Sequence, residues 1–182
     1  TKQVKTRAAM IVVMFGRGGT GDVHQHLRDA ANSVSHANWV VLGKDDDSDS
    51  ERTPPNLFFA GWQDRPDNWI ADASVIVTSA GHNSVMELGH PQCRFIAIAE
   101  DRPFEEQIRK AQILSRERLA IGLTAWPVSS QWSTLIDEAM SLDPSPWRKV
   151  FEHDGAEQAA EHITRVARWS HEARMSRELV TL

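Results

Sequence analysis

Ala8-Ala-Met-Ile-Val-Val-Met-Phe15 runs into Gly16-Arg-Gly-Gly-Thr-Gly21, and Ser74-Val-Ile-Val-Thr78 runs into Ser79-Ala-Gly-His-Asn-Ser84. Each is an apolar strand, then a glycine turn, then a helix-like stretch. That order leaves free backbone N–H groups at a helix start, where they and the helix dipole point at an anion. Counting apolar strands along the chain makes these the loops after strands one and four. In a doubly wound sheet of order 3-2-1-4-5-6, those two strands flank the point where the strand order reverses, and ligands bind outside their carboxyl ends. Two such loops converging on one crevice point to a nucleoside diphosphate ligand.

The rest of the chain keeps the same alternation. Apolar runs predict strands at 8–15, 39–42, 57–60, 75–78, 95–99 and 120–123. Helical periodicity falls at 22–34, 66–71, 83–88, 104–116, 131–141 and 156–173. The expected fold class is α/β, a Rossmann-like doubly wound parallel sheet with helices on both faces. Residues 44–55 are charged and rich in turn formers, which predicts a surface loop. In the last helix Ala159, Ile163, Val166 and Ala167 share one stripe, with Glu157, Glu161, Arg165 and Arg168 facing out. Residues 1–7 read as a polar, basic linker, 8–174 as one ligand-binding domain, and 175–182 as a C-terminal tail.

Composition narrows the partners. A chain of 182 residues is long enough for one domain with a full core. The net charge of −5 provides no global basic field, so no nucleic acid partner is expected. The longest apolar run, 8–15, is too short to span a bilayer, and no signal pattern opens the chain. Cys93 is the lone cysteine, which excludes a disulfide framework and suits a reducing cytoplasm. Seven Trp and no Tyr stand out, without a role that the sequence assigns.

Gly16, Gly18 and Gly21 satisfy G-x-G-x-x-G, and Asp45 follows about two dozen residues later, as in a dinucleotide fingerprint. Gly18 and Gly19 let backbone approach a phosphate closely; the bland alternative is a tight turn with no ligand. Asp22 can cap the following helix, but its charge would repel a nearby phosphate. The second loop is the sharper motif. Gly81 permits the turn, and His82, Asn83 and Ser84 present donors at a helix start. Glu87, one turn beyond Asn83, is placed to accept from ribose hydroxyls; the alternative is a solvated Glu on a capped helix. Glu106 beside Gln107 offers a carboxylate and an amide, which together suit sugar hydroxyls, although acidic residues also simply complement a helix start. No metal is expected. Asp45-Asp-Asp47 read as a calcium loop lacks the Gly at Ser50 and the acid at Asn56, and His24 and His26 do not share a helical face.

With these motifs in place, Met10 to about Thr164 resembles the C-terminal, donor-binding half of GT-B glycosyltransferases. It is similar in particular to the glycosyltransferase family 28 C-terminal domain, that of the GlcNAc transferase completing the peptidoglycan lipid precursor. The segment 73–87 carries the resemblance: an apolar strand, a small residue, Gly, two variable residues, Ser, and a later Glu. The resemblance implies Gly16, Gly18, Gly19 and 81–84 on the diphosphate and Glu87 on the ribose. It implies Trp62 and Gln63, in Gly61-Trp-Gln-Asp64, at the nucleobase, with Gln63 on a uracil, and Glu106 and Gln107 on the donor sugar. Gly155-Ala-Glu-Gln-Ala-Ala160 looks like the opening of the family's closing helix. The chain departs from the pattern at Gly89, Pro91, Arg94 and Ala99, and Lys110 stands where an Asn often touches the sugar.

The resemblance makes 8–174 a nucleotide-sugar-binding domain of a hexosyl-transferring glycosyltransferase. It implies a UDP-sugar as donor and an acceptor held by a missing N-terminal half or partner subunit. No catalytic residue carries over and no cofactor is implied. The chain alone is expected to be inactive. The expected setting is the cytoplasm, or the inner face of the membrane through the absent half. Three alternatives stand beside it: an NAD-dependent oxidoreductase module, a sugar epimerase half, and a non-catalytic donor-binding subunit of a two-chain transferase.

Overall fold

Six strands form one all-parallel sheet. They are β1 (Met10–Met14), β2 (Asn38–Leu42), β3 (Leu57–Gly61), β4 (Val75–Ser79), β5 (Phe95–Ile98) and β6 (Ile121–Leu123), ordered β3-β2-β1-β4-β5-β6. The computed structural model describes residues 8–15, 23–45, 52–151 and 154–180, with side chains to 171 in the last helix. The order is the doubly wound one expected, with its reversal between β1 and β4. The glycine loop 16–21, with Gly16, Gly18 and Gly19, lies outside the described residues.

The described residues form two compact units, divided after Trp147. In the first, side chains alternate between the two sheet faces. Ile11, Val13, Trp39, Val41, Val75, Val77, Ile96 and Ile98 pack against α1 (His24–Ser33) and α5 (Trp132–Ser141) through Leu27, Ala30, Ala31, Trp132 and Ile136. The residues between them, Val12, Ile76, Phe95 and Ala97, are equally buried on the opposite face. There α3 (His82–Gly89) and α4 (Glu106–Arg116) contribute buried Val85, Leu88, Ala111 and Leu114. A short α2 (Asp67–Asp72) links β3 to β4. Both faces are covered, so the strands read as near-continuous apolar runs.

The tryptophans have structural work. Trp39 meets Trp132 edge-on at 5.4 Å between ring centres, Trp132 meets Trp126 at 5.6 Å, and Trp147 stacks on Phe95 at 5.8 Å. Trp147 also donates its indole N–H to the Leu119 carbonyl at 2.8 Å. Three of these rings, Trp39, Trp132 and Trp147, are fully buried. An indole buries more apolar area than any other side chain.

Asn56 holds the end of α1. Its amide nitrogen lies 3.0, 3.3 and 2.9 Å from the carbonyls of Ala31, Val34 and Ala37. These belong to the last turn of α1 and the loop after it, where carbonyls lack helical partners. Asn56→Ala is expected to lower stability by about 1–3 kcal/mol, the cost of leaving such groups unsatisfied. The check is a urea titration with an unchanged slope and a lower midpoint.

The second unit is one helix, α6 (Gly155–Val180), longer than the 156–173 the periodicity predicts. Its start is fixed by Gln158, whose amide donates to Asp154 at 2.9 Å. Ile163 and Val166 of the expected stripe are exposed, as is Trp169. Among the described residues no helix is long and apolar enough to cross a membrane.

Candidate functional site

The carboxyl ends of β1, β2, β3, β4 and β5 open onto two clefts that meet at Ser84. The first, about 270 Å³, is floored by Met14, Phe15, Leu42 and Gly43 and walled by Trp62, Gln63, Asp64 and Pro66, with Ser84 and Glu87 on its α3 side. The second, about 430 Å³, is formed by Ser79, Gly81, His82, Asn83 and Ser84 facing Glu100, Arg102, Pro103, Glu106 and Gln107. The nine described residues expected at the site therefore line one or the other: Trp62, Gln63, Gly81, His82, Asn83, Ser84, Glu87, Glu106 and Gln107. They come from three separate segments: the turn after β3, the start of α3 and the start of α4.

The α3 start is the polar centre. Gly81 at the N-cap has no side chain to cap with, and no side-chain cap is present there among the described residues. The first helical bond runs from the Val85 N–H to the Gly81 carbonyl at 3.0 Å. The N–H groups of His82, Asn83 and Ser84 precede it and have no place in the helical ladder. Three aligned donors at the positive end of a helix dipole are an anion site. Glu87 lies three residues beyond Ser84, hence on the same face. It is exposed and makes no ion pair among the described residues.

The first cleft is shaped by the turn after β3. Gly61 takes φ +63°, a left-handed value that suits glycine. The turn brings Trp62 alongside Gly43, and the Trp62 indole donates to Asp64 Oδ1 at 2.9 Å. Trp62 stays 56% exposed, a broad aromatic wall open to a planar ring. Gln63 turns its amide nitrogen back onto the Ala60 carbonyl at 2.7 Å, so that end is already engaged. His24, read as a poor metal candidate, donates from Nε2 to the Asp45 carbonyl at 3.0 Å and stacks on Phe59. Among the described residues no cluster of three metal-ligating side chains occurs.

The second cleft is braced from within. Gln107 is 5% exposed; its Oε1 accepts the Glu100 N–H at 3.0 Å, and its Nε2 donates to Glu100 Oε2 at 3.4 Å. The same oxygen pairs with Arg102 at 3.0 Å. Gln107 thus secures the 100–105 loop, a use that residue spacing did not reveal, and Glu100 and Arg102 join the site unforeseen. That loop is strained. Phe104 (φ 62°) and Glu105 (φ 54°) are consecutive non-glycine residues in the left-handed region, at about 1–2 kcal/mol each. Such strain collects at binding sites. Phe104 stands 94% exposed, next in sequence to Pro103 of the cleft lining. Cys93 lies in another cleft, and burial raises its thiol pKa, which disfavours the thiolate nucleophile.

No family model and no curated protein matches the chain. Among solved structures it is similar to the glycotransferase of kitacinnamycin, at 16% identity over 86% of this chain and 43% of that one, with a TM-score of 0.66. It is similar to Acinetobacter baumannii MurG, at 14% identity over 90% of this chain and 51% of that one, with a TM-score of 0.64. A third is Phytolacca americana UGT2, solved with UDP-2fluoro-glucose and pterostilbene, at 15% identity over 90% and 42%, with a TM-score of 0.61. The chain spans about half or less of each of these proteins. At such identities the likeness is one of architecture: the chain has the fold of one half of these GT-B glycosyltransferases.

Proposed function

We propose that this chain is the donor-binding half of a glycosyltransferase that uses a UDP-sugar and passes a hexosyl group to an acceptor held by a second domain or subunit. The observation that carries the reading is the start of α3, uncapped among the described residues, its first three N–H groups outside the helical ladder and set between two clefts at the strand-order reversal. The nucleoside fits the first cleft, with its base against Trp62 and Gln63 and its ribose hydroxyls on Glu87. The diphosphate lies on His82, Asn83 and Ser84, joined by Gly16, Gly18 and Gly19 of the first glycine loop. The sugar extends into the second cleft towards Glu106 and the loop that Gln107 braces. UDP bound to the Phytolacca protein as its fluoroglucose conjugate supports the choice of nucleotide.

In the complete enzyme an acceptor hydroxyl oxygen attacks the anomeric carbon. The bond from that carbon to the diphosphate oxygen breaks, and its electron pair leaves on the β-phosphate. Charge grows where the helix start already points, and oriented dipoles in a closed site stabilise it without rearranging. The hydroxyl proton goes to a base supplied by the acceptor half. This chain alone therefore binds donor without transferring it. The lone Cys93 fits a reducing, cytoplasmic setting.

Titration with UDP, UDP-sugars and NAD, followed by amide chemical-shift mapping, tests the reading. UDP is expected to bind and to shift 62–64 and 81–87 together. Tight NAD binding without UDP binding would instead support the oxidoreductase alternative, and shifts elsewhere on the chain would remove the site.

A further inference from the structure

Lys110 lies one turn after Glu106 on α4, the spacing at which Glu and Lys pair across a helix face. No ion pair joins them. The Lys110 ammonium instead crosses to α3, where Nζ lies 3.2 Å from Nδ1 of His82. An ammonium has donors only, so Nδ1 is the acceptor, and the proton of a neutral ring then sits on Nε2. His82 opens α3 and lines the second cleft beside Asn83 and Ser84. The cation that lines this cleft, Arg102, is already matched by Glu100 at 3.0 Å. Lys110 is thus a charge brought from a different helix to the positive end of α3.

We propose that Lys110 is a positioning residue for a diphosphate: it holds His82 as an Nε2–H donor and sets a fixed cation beside the α3 start. A bound divalent ion is often the largest local charge at a phosphate site; here a lysine supplies charge of the same sign. The inference deepens the donor-half reading and rests on it for the nucleoside, but not for the anion.

The test compares native protein with Lys110→Met and Lys110→Arg, using UDP, uridine and inorganic pyrophosphate as probes. Lys110→Met is expected to weaken UDP and pyrophosphate binding roughly tenfold or more, the loss of a charge-assisted contact, with uridine unchanged. Lys110→Arg keeps the cation and is expected to stay within about threefold of native. Nitrogen-15 spectra of the His82 ring are expected to show one tautomer, protonated at Nε2, in native protein and a mixture in Lys110→Met. Equal weakening of UDP and uridine would assign Lys110 a merely structural role and overturn the proposal. So would unchanged UDP affinity with an unchanged tautomer. If native protein binds neither UDP nor uridine, the nucleotide reading fails and pyrophosphate decides alone: binding that Lys110→Met weakens supports the anion role, and no binding or no effect overturns it.

Discussion

Gly122→Ala is expected to destabilise the first unit by about 3 kcal/mol or more, at or above the upper end of ordinary overpacking costs. Gly122 sits in the middle of β6, the short edge strand against which α4 packs. A methyl group there would overlap the Ala111 carbonyl oxygen and come within 2.6 Å of its carbon and 2.9 Å of Ala111 Cα. Those are backbone atoms in the middle of a helix, so no side chain can swing away. Ser115 tightens the contact by accepting from the Gly122 N–H at 2.9 Å and donating to its carbonyl at 3.1 Å. The strain must move α4 or β6 as a whole. At about 2–4 °C per kcal/mol for a chain of this size, the melting temperature should fall by roughly 6–12 °C. A melting temperature within a degree of native would show that α4 and β6 are not packed this closely. The same displacement shifts Glu106, Gln107 and Lys110, so nucleotide affinity should fall along with stability.

The strand order was legible because each strand is an apolar run of five or so residues bounded by turn formers, and the loops at 16–21 and 79–84 marked its first and fourth members. The α3 start was legible for the same reason: Gly81 and the polar residues after it announce an exposed helix mouth. What escaped was set by distant partners. Helix α4 begins at Glu106 rather than near 104, because Phe104 and Glu105 take left-handed values that no local preference of Phe or Glu favours. Gln107 looked like a sugar ligand because an amide suits hydroxyls; only the fold shows that the Glu100 backbone already occupies it. Trp147 follows a proline in an irregular stretch, with no periodicity to mark it as core. It is buried because Gly89 at the end of α3 leaves room, where a Cβ would come within 2.5 Å of its ring. The departure at Gly89 thus has a packing reason. Asn56 was weighed only as a missing calcium ligand, yet it holds the end of α1.

Glu87→Ala is expected to weaken UDP binding roughly ten- to a hundredfold, the loss of about 1.5–3 kcal/mol for a hydrogen bond to a charged acceptor. The residue is exposed, its carboxylate makes no ion pair among the described residues, and it lines the first cleft three residues beyond Ser84. Among the described residues it makes no hydrogen bond or ion pair, so stability should change by no more than about 0.5 kcal/mol. Calorimetry against UDP and against its 2′,3′-dideoxy analogue separates the ribose contact from a general electrostatic effect. With the hydroxyls gone, native and variant should bind alike, because the interaction that the substitution removes is already absent from the ligand. An equal loss with both ligands would mean that Glu87 acts at a distance. Unchanged affinity for UDP, with an unchanged melting temperature, would make Glu87 a solvated helix residue and leave the α3 start to bind the diphosphate without a ribose partner.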